Sequence, residues 1–157
     1  MVFRKDSDIT VPSATACKPT QSLLLNTPWT INFPEGWGIP ETLVVNELKP
    51  WKELAANDEG KAFSGTATYT TTFDIGTKQA GCKYHLDLGR VDMIAAVSVN
   101  GRKLRTLWTA PYELDITEAV NEGCNELKVE VTGTWYNRLV YDAGQSEERL
   151  SLIHISE

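Results

Sequence analysis

The chain has 157 residues, 41% apolar and 23% charged, with 15 Lys and Arg against 21 Asp and Glu for a net charge of −6. That length fits one domain able to bury a core without staples, and the composition excludes bulk disorder. No basic stripe offers a grip on nucleic acid, and no apolar run approaches the roughly 18 residues of a membrane span, so neither is expected as a partner.

Residues 1–20 are polar and Pro-containing and read as an irregular leader or inter-domain linker, with Cys17 inside it and no apolar core of a signal peptide behind Met1–Lys5. The first strand signal falls between Gln21 and Phe33, where Trp29, Ile31 and Phe33 alternate with Thr30 and Asn32. Pro34–Pro40 is a loop of turn formers around Trp37. Such a loop can offer Trp37 to a ligand or fold it back as a lid on a sandwich edge. Glu41–Leu54 reads as a short strand or irregular packing, and Asn57–Lys61 as a polar turn.

Phe63–Ile75 carries the longest strand signal. Ala67, Tyr69, Thr71, Phe73 and Ile75 share one face, and Thr66, Thr68, Thr70, Thr72 and Asp74 the other. After a turn at Gly76–Gly81, Tyr84, Leu86 and Leu88 alternate with His85 and Asp87. Ala95, Val97 and Val99 then run into Asn100-Gly101, a pair that tolerates the positive φ of a tight hairpin turn at both positions. Leu104 and Leu107-Trp108 mark the returning strand, and Pro111 interrupts the pairing before Tyr112, Leu114 and Ile116. Trp108 reads as a core or domain-interface residue beside Leu107. Asp115 or Thr117 caps a single helical turn at Glu118–Val120. Leu127, Val129 and Val131 form a last alternating strand, and Gly133–Asp142 is aromatic and polar without clear periodicity. Short strands bounded by turn residues, with almost no helix, predict an all-β antiparallel jelly-roll β-sandwich over residues 21–149.

The last eight residues, Leu150–Glu157, resemble the translation of a sequencing adaptor and are set aside as a cloning or assembly scar. The expectation is that the natural gene continues beyond Arg149. The other reading is a genuine final strand.

Several stretches together resemble the galactose-binding-like β-sandwich of glycoside hydrolase family 2, in the version found in large bacterial α-L-rhamnosidase-like enzymes. They are Phe63–Tyr69, Leu86–Val91, Val97–Gly101, Leu107–Tyr112, Asp115–Thr117, Gly123–Leu127 and Thr134–Leu139. Two places depart from that pattern. Gly133 stands where Asn is usual, and Val140-Tyr141-Asp142 replaces Ile-Gly-Asp. The resemblance implies a non-catalytic accessory domain that packs on the catalytic domain of the same parent chain and helps shape its sugar site. It further implies a plant or microbial glycan as ligand and a periplasmic or extracellular location.

A glycosidase needs two flanking carboxylates, and no acid here sits in a visible apolar pocket that would raise its pKa. Asp87 alternates outward and Asp115 reads as a cap, so no catalytic residue is assigned. Sugar recognition needs an aromatic face and polar forks. Trp135, Tyr136, Asn137, Arg138 and Asp142, with Trp37, offer both and are the candidate carbohydrate-binding residues. On the other reading, Trp135 plugs the sandwich end and Arg138 pairs with Asp142 or Asp92. An autonomous carbohydrate-binding module and a purely structural spacer remain the alternatives to the accessory role. His85 reads as an outward surface residue, and no Cys/His/Asp set has zinc spacing. No Asp-rich loop announces the structural calcium that jelly rolls can hold, so no metal or cofactor is assigned. Cys82 and Cys124 each follow a Gly at a strand start; a bridge requires those strands to be neighbours, and otherwise they read as free buried thiols.

Overall fold

The computed structural model describes residues 22–91 and 94–144, without the side chain of Asn137. The leader, Asp92, Cys17 and the adaptor-like tail lie outside the described residues.

Eight strands form two antiparallel sheets. The larger has the order β2-β1-β3-β8-β5-β6 and the smaller pairs β4 with β7. β1 (Trp29–Asn32) pairs with β2 (Thr42–Val45) on one side and β3 (Thr66–Asp74) on the other. β3 pairs along its full length with β8 (Cys124–Thr132), from Thr66 opposite Thr132 to Asp74 opposite Cys124. β5 (Ile94–Val99) and β6 (Arg102–Leu107) complete the sheet. β4 (His85–Asp87) and β7 (Glu113–Asp115) form the second layer. Leu86, Tyr112, Leu114, Ile116 and Val120 from that side join Ile31, Ala67, Val97, Val99, Leu127 and Val129 in one buried core. The molecule is therefore the sandwich expected, with one hydrophobic core between unequal sheets.

The period-two pattern decides which side of β3 is wet. Ala67, Tyr69, Thr71 and Phe73 are buried, while Thr66, Thr72 and Asp74 are exposed. The β5–β6 hairpin turns at Asn100 (φ 52°) and Gly101 (φ 76°), the two positive-φ positions that the Asn-Gly pair predicts. The register shifts between Val97 and Ser98, so a bulge sits in the middle of that hairpin.

A buried amide holds the far end of this hairpin. Asn125 is 1% exposed. Its Oδ1 accepts from Asn100 Nδ2 and from the Asn121 N–H, both at 2.7 Å. Its Nδ2 donates to the carbonyls of Asn121 and Gly123, both at 2.8 Å. All four hydrogen-bonding positions of the amide are thus used. Asp115 Oδ1 accepts from the Thr117 N–H at 2.9 Å, which makes Asp115 the cap of the following turn.

Three helical pieces lie around the sandwich: α1 (Trp51–Leu54), α2 (Asp58–Lys61) and α3 (Tyr136–Gly144). α2 replaces the polar turn expected at 57–61, and Asn57 Oδ1 caps it by accepting from Gly60 N–H at 2.7 Å. α3 forms where no periodicity was apparent. Tyr136, Leu139 and Val140 have helical spacing, but they face away from the core, so the pattern lacks its usual inward stripe.

Three expectations are corrected by burial. Trp108 is 77% exposed and so is not a core residue, which leaves of that expectation the domain-interface reading alone; Leu107 takes the inward place at the end of β6 and Trp108 the next, outward one. Cys82 and Cys124 are free but exposed rather than buried. Cys124 opens β8 on the outward alternation, and Asn125 takes the inward one. Trp135 does not plug the sandwich end, being 63% exposed.

Candidate functional site

The plug is instead a cluster of rings from the β1–β2 loop, α1 and the segment before β3. Phe63 is fully buried, with Trp51, Phe33 and Trp37 around it at centroid distances of 4.7, 5.1 and 5.3 Å. All three contacts are edge-to-face, the arrangement that the ring quadrupoles favour. Trp51 Nε1 donates to Tyr69 Oη at 2.6 Å, so its polar edge is satisfied within the cluster. Burial raises the Tyr69 pKa above 10.0, and the hydrogen bond from Trp51 works against that shift. Gly133 makes this packing possible. A Cβ there would lie 2.6 Å from Cζ3 of Trp51, so any side chain at this place would displace the indole.

Trp37 folds back onto Phe63 and is half-buried, so its loop closes the sandwich edge. Its outer side meets Trp135, with centroids 6.1 Å apart and planes tilted by 55°. The Arg138 guanidinium lies over Trp37 at 5.7 Å and over Tyr141 at 5.5 Å. Its Nε reaches the two Asp142 carboxylate oxygens at 3.0 and 3.1 Å, one helical turn along α3. The Arg138 N–H donates to Ser64 Oγ at 3.2 Å, which ties the first turn of α3 to the buried segment just before β3. The fold thus brings together Trp37, Trp135, Arg138 and Asp142, which lie up to 105 positions apart in sequence. Tyr136 is 67% exposed. The Asn137 side chain lies outside the described residues.

This arrangement can present an aromatic surface to a ligand. It is less suited to gripping an anion, because the one cation is already paired with Asp142 and stacked on two rings. Sequence reasoning did not single out Ser64 or Tyr141. Tyr141 stands where the family resemblance expects Gly, and that departure was the available signal.

The carboxylates with displaced pKa values are displaced downward: Asp58 by its hydrogen bond and charge contact with Lys61, Asp115 by hydrogen bonds from Thr117, and Glu130 by Lys128. A glycosidase acid needs the opposite shift. Among the described residues no group of three or more His, Cys, Asp or Glu converges as metal ligands. No helix there is long and apolar enough to cross a membrane. Two open clefts, of about 520 Å³ beside Lys78–Cys82 and about 470 Å³ beside Leu43–Leu54, are lined by none of the rings of the aromatic cluster.

Comparison with known proteins agrees with this architecture. A relative from Formosa agariphila that carries a beta-glucuronidase assignment is 41% identical over 135 residues, covering 84% of this chain and 11% of that protein. The structure of a rhamnosidase from Novosphingobium superposes with a TM-score of 0.69 at 42% identity, covering 79% of this chain and 12% of that one. A Lactobacillus rhamnosus beta-glucuronidase shares the fold, with a TM-score of 0.60 at 21% identity over 69% of this chain and 20% of that one. The chain therefore spans only a small part of the length of each of these relatives. Residues 46–149 match the family described as glycosyl hydrolase 2 galactose-binding domain-like. The chain belongs to that family of β-sandwich domains.

Proposed function

We propose that this chain is a non-catalytic accessory domain of a large glycoside hydrolase, packed on the catalytic domain of the same polypeptide. The observation that carries this reading is the mismatch of scale and chemistry. The chain matches 11% and 12% of two relatives with glycosidase names, and the carboxylates whose pKa values are displaced shift downward, opposite to what a glycosidase acid needs. Hydrolysis then belongs to residues outside this domain. We propose further that the parent acts on a plant or microbial glycan in the periplasm or outside the cell.

The test is product release from aryl α-L-rhamnosides and aryl β-D-glucuronides. The parent polypeptide is expected to hydrolyse one of them and the 157-residue chain neither. Turnover by the short chain alone would overturn the accessory role.

A second reading rests on Trp135, which is 63% exposed beside Trp37. An indole face next to polar groups suits the apolar side of a sugar ring. On that reading the domain binds glycan by itself through Trp37, Trp135, Tyr136, Asn137, Arg138 and Asp142. A glycan array that includes rhamnose- and galactose-containing pectic fragments tests it. Binding abolished by Trp135→Ala and Arg138→Ala in a folded sample is the expected result, and a blank array with folded protein rejects it.

A further inference from the structure

We infer that the outward face of α3, formed by Tyr136, Leu139 and Val140, is the surface through which this domain seats against the rest of its parent polypeptide. The inference deepens the accessory reading above and rests on it. A surface helix normally turns its apolar stripe to the core and its charges to water. In α3 the order is reversed. Tyr136, Leu139 and Val140, at helical spacing, are 67%, 65% and 55% exposed. Arg138, by contrast, sits on Trp37 and spends its charge on Asp142. Among the described residues, α3 is tied to the sandwich by a polar contact to Ser64 and by the Arg138 stack on Trp37. Among the described residues, none covers the apolar side.

Chemistry and size select the occupant. Leu139 and Val140 offer a glycan neither donor nor acceptor. A membrane-surface helix carries a cationic flank, whereas the charges at Arg138 and Asp142 cancel and the chain's net charge is −6. A free second copy is disfavoured by area. A standard interface covers about 800 Å² on each partner, and three side chains on one short helix supply on the order of a few hundred. A small apolar patch suffices when the partner is tethered, because the effective concentration then reaches roughly the millimolar range. The relatives contain such tethered neighbours, since the matched segment is 11% and 12% of their chains. The partner surface is accordingly an uncharged apolar face of the neighbouring domain. Seating α3 there sets Trp135, the residue before Tyr136, at the rim of the junction.

Amide hydrogen exchange on the parent polypeptide and on the 157-residue chain tests this. Peptides covering α3 are expected to exchange at least ten-fold more slowly in the parent. Leu139→Glu with Val140→Glu in the parent should remove that protection, while Val44→Glu, at an outward position of β2 that is 67% exposed, should leave it intact. Equal α3 exchange in wild-type parent and short chain would overturn the inference without recourse to any variant. So would protection in the short chain that rises with its concentration, which would indicate a second copy. Protection in the parent that survives the double substitution would also overturn it. None of these readouts depends on glycoside hydrolysis, so failure of the accessory reading shows separately, in product release.

Discussion

Asn125→Ala should be among the most damaging single substitutions in this domain, although it removes no apolar contact. Its amide makes four hydrogen bonds that tie the β5–β6 turn at Asn100 to Asn121 and Gly123 at the start of β8. A net hydrogen bond is worth about 0.5–1.5 kcal/mol, and a buried group left unpaired costs about 1–3 kcal/mol. Asn100 Nδ2 keeps its second acceptor, the Ala119 carbonyl at 2.8 Å, and Asn121 is exposed enough to find water. Four such bonds bracket the loss at about 2–6 kcal/mol, and these surviving partners put it in the lower half, at about 3 kcal/mol. For a chain of this length each kcal/mol moves Tm by about 3 °C, so the expected drop is roughly 9 °C. Calorimetry, or urea unfolding followed by tryptophan fluorescence, measures it directly. Thr70→Ala, on the outer face of β3, is the control and should stay within about 0.5 kcal/mol. A Tm within about 2 °C of wild type for Asn125→Ala would refute the assignment of the amide as the brace between these turns.

Gly133→Ala should destabilise by about 1–3 kcal/mol through overpacking against Trp51. In a double-mutant cycle, pairing it with Trp51→Leu should cost less than the sum of the two single changes. Full additivity would reject the clash as the cause. The acid limb of stability provides a separate check at Asp115. Hydrogen bonds from Thr117 hold its carboxyl below the ordinary 3.8. The stabilisation is fully present above that ordinary value and is lost as pH falls below it, through the lowered folded value. Asp115→Ala should therefore flatten the pH dependence of urea stability below about pH 4. An unchanged acid limb would reject it.

The strands were legible because their burial is periodic and local. Ala67, Tyr69, Thr71 and Phe73 declare the inner face of β3 without reference to any partner, and Asn100-Gly101 declares its own turn through backbone sterics. The candidate residues around Trp135 could be named for their chemistry but not for their geometry. Whether Arg138 faces a ligand or Asp142 depends on a helix that the sequence did not announce.

By itself the sequence determined the all-β class, the wet and dry faces of β3, the hairpin at Asn100-Gly101, and the family, because each follows from short-range sterics, alternation or ordered motifs. Only the tertiary structure decided that Phe63, not Trp135, lies at the centre of the end plug, that Trp108 and both described cysteines face water, and that α3 turns its apolar side outward. These outcomes depend on contacts between residues distant in the chain. Gly133 must yield space to Trp51, and Ser64 must meet Arg138, before an inside and an outside exist for the last helix.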